Sequence, residues 1–326
     1  MPAHLLDVTA STPIDVRPDR ATMLRRFLEA YWLRPENALW MTLRSDALAR
    51  VAFRHASIDL GCGDGVFSFL HFGGVFDPAF DVFTAVDHLD QVHDGHFDMF
   101  DGGIDRYRPL IHSRSGDTID VGADCKSTML AKAEKLDFYA RLIGHDNNLP
   151  LPLEDASFAT VYCNTAYWLR EIDSFLSEIA RITLPGGRIV LQVKLDSMRR
   201  YTLEGHRSSL GERLLDIVGR GRIDCWPTLA DRATWEARFA RAGLAILQAV
   251  PFVTRTHSHL WDVGLRPIAP LLVRMANALT PANRAAIKRD WVDLFFDLIV
   301  PFCDSALDLF PGRNEPAEIQ YTLTPR

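Results

Sequence analysis

Gly61, Gly63 and Gly65 stand at alternate positions just after Asp59, and no other stretch of the chain has a clearer chemical potential. Glycine has no Cβ, so a turn built this way lets a ligand lie directly on the main chain. The preceding Ser57-Ile58-Asp59-Leu60 reads as a short buried strand, and the residues from Gly65 through Phe67, Phe69 and Leu70 read as a helix. An acid at a strand's carboxyl end stands where ligands settle in open α/β sheets. A dinucleotide loop needs G-x-G-x-x-G, but here Val66 occupies the place of the third glycine. A plain turn after a strand is the bland alternative.

The elements that must position this loop follow from periodicity. Leu24, Phe27, Leu28, Tyr31 and Trp32 form one helical stripe; Pro35 breaks it, and a second helix is expected over 36–50 with Leu39, Trp40 and Leu43 inward. Further strands are expected at 57–60, 118–124, up to Gly144, at 158–163, 188–193, 244–253 and 317–323. Helices are expected between them: one capped by Ser127, one over 172–182, one over 228–242 stopped by Gly243, and a helical stretch over 267–309 with a start at Thr280-Pro281. Pro301 should end or kink that stretch. Alternating strands and helices predict an α/β, Rossmann-like, seven-stranded, mostly parallel sheet with helices on both faces and an antiparallel last strand. N-terminal helices and a C-terminal helical insertion are added to it.

Bulk properties narrow the function. The 326 residues are 48% hydrophobic and 24% charged, with a net charge of −6, so no general pull toward nucleic acid is expected. Five widely spaced cysteines without C-x-x-C suggest reduced thiols and a cytoplasmic protein. No signal core or membrane-spanning run is evident.

Four stretches fall in order along the chain. They are Asp59-Leu60-Gly61-Cys62-Gly63-Asp64-Gly65; Val121-Gly122-Ala123-Asp124 followed by Met129-Leu130-Ala131-Lys132-Ala133; Asp146-Asn147-Asn148-Leu149-Pro150; and Glu178-Ile179-Ala180-Arg181 with Leu184-Pro185-Gly186-Gly187. In this order they resemble the class I S-adenosylmethionine-dependent methyltransferases, in the pattern called methyltransferase type 11. The resemblance covers about 57–193, less an insertion. It implies S-adenosylmethionine as cofactor and S-adenosylhomocysteine as product. It also implies that Asp59, Gly61, Cys62, Gly63 and Gly65 hold the methionine end and that Asp124 and Cys125 stand at the ribose. Asp146, Asn147 and Asn148 would face adenine, and Cys163 and Asn164 would stand beside the sulfonium. A carboxylate at 124 can accept hydrogen bonds from both ribose hydroxyls. Its competing role is a helix N-terminal acid, and for Asp146 it is an Asx turn.

Two departures accompany the resemblance. Phe158-Ala159 stands where the family usually has Phe-Asp. Asp124 also comes 59 residues after Gly65 (residue 124 less residue 65), whereas about 20 are expected, so an insertion occupies 74–117. Asp87, 22 residues after Gly65, is the alternative ribose acid. The insertion carries His88, Asp90, His93, Asp94, His96, Asp98, Asp101 and Asp105. Their spacing matches no metal-ligand motif, so a surface loop is preferred to a metal site.

The division implied is a helical arm or lid over 1–56, a methyltransferase core over 57–253, a helical insertion serving as substrate cap over 254–316 and a closing strand over 317–326. The activity expected is methyl transfer to a small-molecule acceptor, of natural-product type, with oxygen favoured over carbon or nitrogen. The alternative is a cofactor-binding scaffold or regulatory subunit without catalysis. A base helps if the acceptor is a hydroxyl; candidates are His145, Tyr167 and His206, with His257 and His259 behind them. A homodimer is compatible with this reading. A nicotinamide dehydrogenase is disfavoured by the glycine spacing. A nucleic-acid methyltransferase is disfavoured by charge and by Cys163-Asn164-Thr165-Ala166, which stands in place of the amino-methylating tetrad.

Overall fold

The computed structural model describes residues 18–86, 89, 99–114, 116–219 and 225–326. Helices α1 (Arg20–Ala30) and α2 (Pro35–Leu48) precede β1 (Ser57–Leu60), α3 (Val66–His71), β2 (Val75–Phe76) and β3 (Ile111–Ser113). Next come β4 (Ile119–Asp124), α4 (Ser127–Glu134), β5 (Tyr139–Gly144), β6 (Phe158–Cys163), α5 (Ile172–Ile182) and β7 (Thr183–Lys194). The remainder is α6 (Ser197–Tyr201), α7 (Arg207–Leu210), α8 (Glu212–Gly219), α9 (Arg232–Arg241), β8 (Leu244–Val253), α10 (Arg255–Val263), α11 (Ala269–Asn277), α12 (Pro281–Ile299) and β9 (Glu318–Pro325).

Seven strands form one sheet in the order β5-β4-β1-β6-β7-β9-β8, with β9 antiparallel to both of its neighbours. The Rossmann-like expectation therefore holds. β1 lies between β4 and β6, with Ile58 level with Val121 and Val161. The carboxyl ends of β1, β4, β5 and β6 thus open side by side, and the glycine loop leaves from the middle of that row.

The two faces of the sheet are packed differently. Toward α5 and α9 the strands present Ile189, Leu191, Val193, Ile319, Tyr321 and Leu323, which pack against Phe175, Ile179, Trp235 and Phe239 in an apolar core. On β9 the alternate residues Glu318, Gln320 and Thr322 are polar and equally buried. They lie under α2: Gln320 donates to the Ala47 carbonyl (2.7 Å), and Gln192 on β7 donates to the Arg44 carbonyl (3.0 Å) and to Gln320 (2.9 Å). Buried amides are tolerated because each finds a partner.

The insertion is closed at its base by β2 pairing with β3, Val75 opposite Ser113, and is thus not wholly irregular. Its later part is pinned to α4. Lys126 meets the buried Asp101 at 2.9 Å, Lys132 donates to the Phe100 carbonyl, and Lys135 donates to the Ile104 and Tyr107 carbonyls. Its early part is held by α12 through Arg284 on Asp81 (2.7 Å) and Lys288 on the Pro78 carbonyl (2.8 Å).

Several local expectations are corrected. Ser127 does not cap α4; Lys126 occupies the cap position, and Asp124 accepts its N–H at 2.9 Å. The helix expected over 228–242 starts at Arg232 because Asp231 caps it through the Thr234 N–H, at 2.7 Å. The stretch 267–309 is not continuous: α11 and α12 are separate, and α12 ends at Ile299 just before Pro301. Helix α10 falls within the helical insertion expected over 254–316 and begins at a capping box in which Thr254 and His257 bond reciprocally. β7 is longer than 188–193, and Leu184-Pro185-Gly186-Gly187 loops out between the pairs Phe158–Thr183 and Thr160–Arg188. Residues 1–17, the alternative acid Asp87, and His88, Asp90, His93, Asp94, His96 and Asp98 lie outside the described residues. Among the described residues, no helix is long and apolar enough to cross a membrane.

Candidate functional site

The loop after β1 adopts left-handed backbone at all three glycines, with φ of 87°, 58° and 75° at Gly61, Gly63 and Gly65. Side chains resist that region, which explains the residue type. Gly61 has a second reason: a Cβ there would lie 2.1 Å from Thr165 Oγ1, which packs over β1. Gly63 is different, since a Cβ there would meet nothing within 4 Å. Gly61 is therefore fixed by the protein's own packing, whereas Gly63 opens onto free space.

Asp59 is buried beneath this loop. Its Oδ2 accepts hydrogen bonds from Ser68 (2.6 Å) and Tyr139 (2.8 Å), while its Oδ1 is buried without a partner. Burial pushes its carboxyl up from 3.8 to about 6, against the pull of those two hydroxyls, and the charge of Asp124 adds to the rise. Asp124 ties the glycine loop to α4, accepting the Gly63 N–H at 3.0 Å and the Lys126 N–H at 2.9 Å. Burial raises its carboxyl as well, and those two N–H groups oppose the rise. The Cys62 thiol is raised by burial and by Asp59, Asp124 and Asp64 around it, so it is held as a neutral thiol.

At the end of β5, Asp146 Oδ1 accepts from the Asn148 backbone and side chain, both at 2.9 Å, which is an Asx turn. Asn148 Oδ1 in turn accepts from the Arg170 and Glu171 N–H groups. Between them Asn147 is buried with its Oδ1 unpartnered. At the end of β6, buried Cys163 touches Thr165 at 3.5 Å, and its thiol is pushed up to about 11 by burial. Asn164 donates to the Tyr162 hydroxyl at 3.1 Å. Cys125 is exposed.

Above the loop lies a cavity of about 320 Å³. Gly61, Cys62, Gly63, Asp64 and Asn164 line one end. Asp59, Gly65, Asp124, Cys125, Asp146, Asn147, Asn148 and Cys163 stand around or behind that end and do not line it. Thr165, packed on Gly61, belongs to that end too. The far end is built from α2 (Trp40, Met41, Arg44), the turn after β6 (Tyr167, Trp168), Lys194, Cys225, Trp226, and Trp261 and Arg266 near α10. Tyr31, Arg34, Asn37, Phe67 and Pro270, with Leu89, Met99 and Phe100 of the insertion and Met129 of α4, complete the lining.

Sequence reasoning places the N-terminal helices, Thr165, Tyr167, Trp168 and the 254–316 cap at the acceptor, and it missed Lys194, Cys225 and Trp226. Lys194 lies one residue past the strand expected from the apolar run, and Glu318 lies on the polar side of the closing strand. In the structure the Glu318 carboxylate is shared by Lys194 and Arg44, and all three are buried. The Lys194 ammonium sits 4.3 Å from the Trp40 ring, 4.8 Å from Tyr167, 5.4 Å from Trp226 and 5.5 Å from Trp261. Each is within cation–π range. Arg44 donates to the Tyr167 hydroxyl at 3.4 Å. Burial raises the Tyr167 phenol, and the Arg44 guanidinium pulls it back.

Of the five candidate bases, Tyr167 is the one among the described lining residues. His145 bonds the Leu149 carbonyl at 3.3 Å, and His206 is exposed. His257 is buried in the α10 cap and against the Phe302 carbonyl at 3.0 Å, and His259 packs on Phe310.

Residues 107–191 match the sequence model of a family described as the methyltransferase domain. That match starts inside the insertion and runs from β4 through β6 into β7, so the glycine loop lies before it. No curated protein matches the chain. Solved structures with a similar arrangement include a possible histamine N-methyltransferase from Thermotoga maritima, 12% identical, covering 94% of this chain and 100% of that one at a TM-score of 0.44. Another is an S-adenosylmethionine-dependent methyltransferase from Mesorhizobium loti, 15% identical, covering 87% and 96% at a TM-score of 0.43. A third is a geranyl diphosphate methyltransferase in complex with S-adenosylmethionine, 13% identical, covering 89% and 90% at a TM-score of 0.42.

Proposed function

We propose that this chain, a class I S-adenosylmethionine-dependent methyltransferase by the domain it carries, methylates a small-molecule acceptor, with oxygen as the favoured atom. The observation that carries the reading is the single cavity that joins the glycine loop to a wall of rings and cations. The residues fit the cofactor on the chain's own evidence. Asp59 Oδ1 and Asn147 Oδ1 are buried acceptors with no partner, and Gly63 leaves open the space a Cβ would take. In this reading Gly61, Cys62 and Gly63 carry the methionine end, with Asp59 and Gly65 supporting them. Asp124 and Cys125 stand at the ribose, Asp146, Asn147 and Asn148 at the adenine, and Cys163 and Asn164 at the sulfonium side.

When bound, S-adenosylmethionine supplies an electrophilic methyl group on a sulfur that leaves as a neutral sulfide. The chain's task is then alignment and dryness, which can supply much of the acceleration. The aromatic lining excludes water around the acceptor. Tyr167, held by Arg44, orients an acceptor hydroxyl through its own hydroxyl. The N-terminal helices and the segment 254–316 are the lid and cap of this reading, since Tyr31, Arg34, Trp261 and Arg266 reach the cavity from them.

The test is calorimetric titration of S-adenosylhomocysteine and NAD into the wild type and Asp124→Ala. Binding of the sulfur ligand alone, weakened about tenfold or more in Asp124→Ala, supports the reading. Binding of NAD in its place would overturn it.

A further inference from the structure

We propose that the acceptor is a planar anion, a carboxylate on an aromatic or conjugated framework, received by the wall around Arg44 and Lys194. The inference rests on the cavity being the methyl-acceptor site, as argued above.

Three observations carry it. First, four cations line the cavity: Arg34, Arg44, Lys194 and Arg266. The one acid among the described lining residues is Asp64, at the glycine-loop end. The carboxylates that answer those cations, Glu36, Glu318 and Asp262, are buried and do not line the cavity. Cationic residues therefore line the space, and the carboxylates that balance them stand outside the lining. A ligand with negative charge is favoured there, more so where water is excluded.

Second, four aromatic rings surround the Lys194 ammonium at 4.3 to 5.5 Å. An aromatic box of this kind ordinarily recognises a cationic ligand. Here the box already holds a cation of the chain itself, so a cationic acceptor meets like charge instead of an empty cage.

Third, the wall is flat-sided. Trp226 and Trp261 stack at 6.2 Å with 25° between their planes, and Trp40 lies 4.7 Å from Trp261. Ring faces suit a planar framework, and a guanidinium matches a carboxylate in geometry as well as charge.

The experiment uses naphthalene-2-carboxylate, its carboxamide and naphthalen-2-ylmethylamine as probes on the full chain saturated with S-adenosylhomocysteine. Tryptophan fluorescence reads occupancy, and calorimetry gives the affinities. The carboxylate is expected to bind at least about tenfold tighter than the amide, with the amine weakest. Lys194→Met should shrink that preference to about twofold or less while the affinity for S-adenosylhomocysteine stays within about twofold. Glu318 keeps Arg44 as its partner in this variant, so the core charge stays answered. If Lys194→Met does not fold, Arg34→Gln, on the less buried side of the wall, should reduce the preference in the same direction. An amide or amine that binds as well as the carboxylate overturns the inference, as does the failure of all three probes while S-adenosylhomocysteine still binds. Failure of S-adenosylhomocysteine itself brings down the methyltransferase reading and this inference with it.

Discussion

The glycine loop and the Lys194 wall face each other across one cavity, and they are built on opposite plans. The loop is a single run of chain, from Ser57 to Phe67, that offers backbone and left-handed turns. The wall is side chains brought together from α2, the turn after β6, the end of β7, residues 225–226, α10 and β9. One is specified by residue type within a few positions. The other exists only once the sheet has placed β7 beside β9 and laid α2 across them. Failure should therefore look different at the two ends: changes in the loop should strike ligand binding, and loss of the buried carboxylate that balances the wall's cations should strike the fold.

The largest effect is expected at Glu318. Glu318→Ala leaves Arg44 and Lys194 buried without their shared carboxylate, and removing one partner of a buried ion pair typically costs about 3–5 kcal/mol. Urea denaturation should show that loss. A stability near wild type would mean that the wall is more hydrated than its burial implies.

Gly61→Ala comes next. Left-handed backbone costs a side chain about 1–2 kcal/mol, and the new Cβ must also displace Thr165. A total of about 2–4 kcal/mol is expected in denaturation, together with loss of S-adenosylhomocysteine binding. The neighbouring Gly63→Ala sharpens the contrast. It carries the φ penalty without a clash, so it should cost less stability and still weaken binding.

Asp59→Asn should move stability and binding in opposite directions. The folded carboxyl is raised to about 6 from 3.8, so the native state holds the proton more tightly than the unfolded chain. Its penalty is absent below about pH 4, grows as pH rises through the interval to about 6, and is constant above that. Asparagine keeps an acceptor for Ser68 and Tyr139 and removes the buried charge. At pH 8 the variant should be more stable by up to about 2–3 kcal/mol, at pH 4 it should match wild type, and at pH 8 it should bind S-adenosylhomocysteine more weakly. A variant that loses stability at pH 8 would contradict this account of Asp59.

The smallest effect is expected at Asp146, where the carboxylate already closes an Asx turn. Asp146→Ala should weaken S-adenosylhomocysteine by only about threefold to tenfold in calorimetry.

How much was legible in the sequence follows the same division. The bounds of β1, β6, α5 and β8 can be read residue by residue because apolar runs and their punctuation are local. The glycine loop and the acids closing β4 and β5 are equally local. The lysine at the end of β7 and the polar side of β9 carry no such mark. A buried Glu318 looks like a solvent-facing residue until α2 covers it. Trp40 was visible as the inner face of a helix, but nothing in its own segment says that Trp226, Trp261 and a lysine share its environment. The start of helix α10 escaped because His257 stands where the familiar capping box has Glu or Gln, although its imidazole bonds back in the same way. The insertion hides the spacing between Gly65 and Asp124, and only β4 lying beside β1 brings that acid to the Gly63 N–H.

The most direct test of the central claim is hydrogen–deuterium exchange with and without S-adenosylhomocysteine. The account predicts protection confined to the carboxyl ends of neighbouring strands: the peptides spanning Gly61 to Gly65, Gly122 to Met129, and Gly144 to Asn148, with α12 unchanged. Protection centred on α12 or on β8, with the glycine loop unaffected, would contradict it.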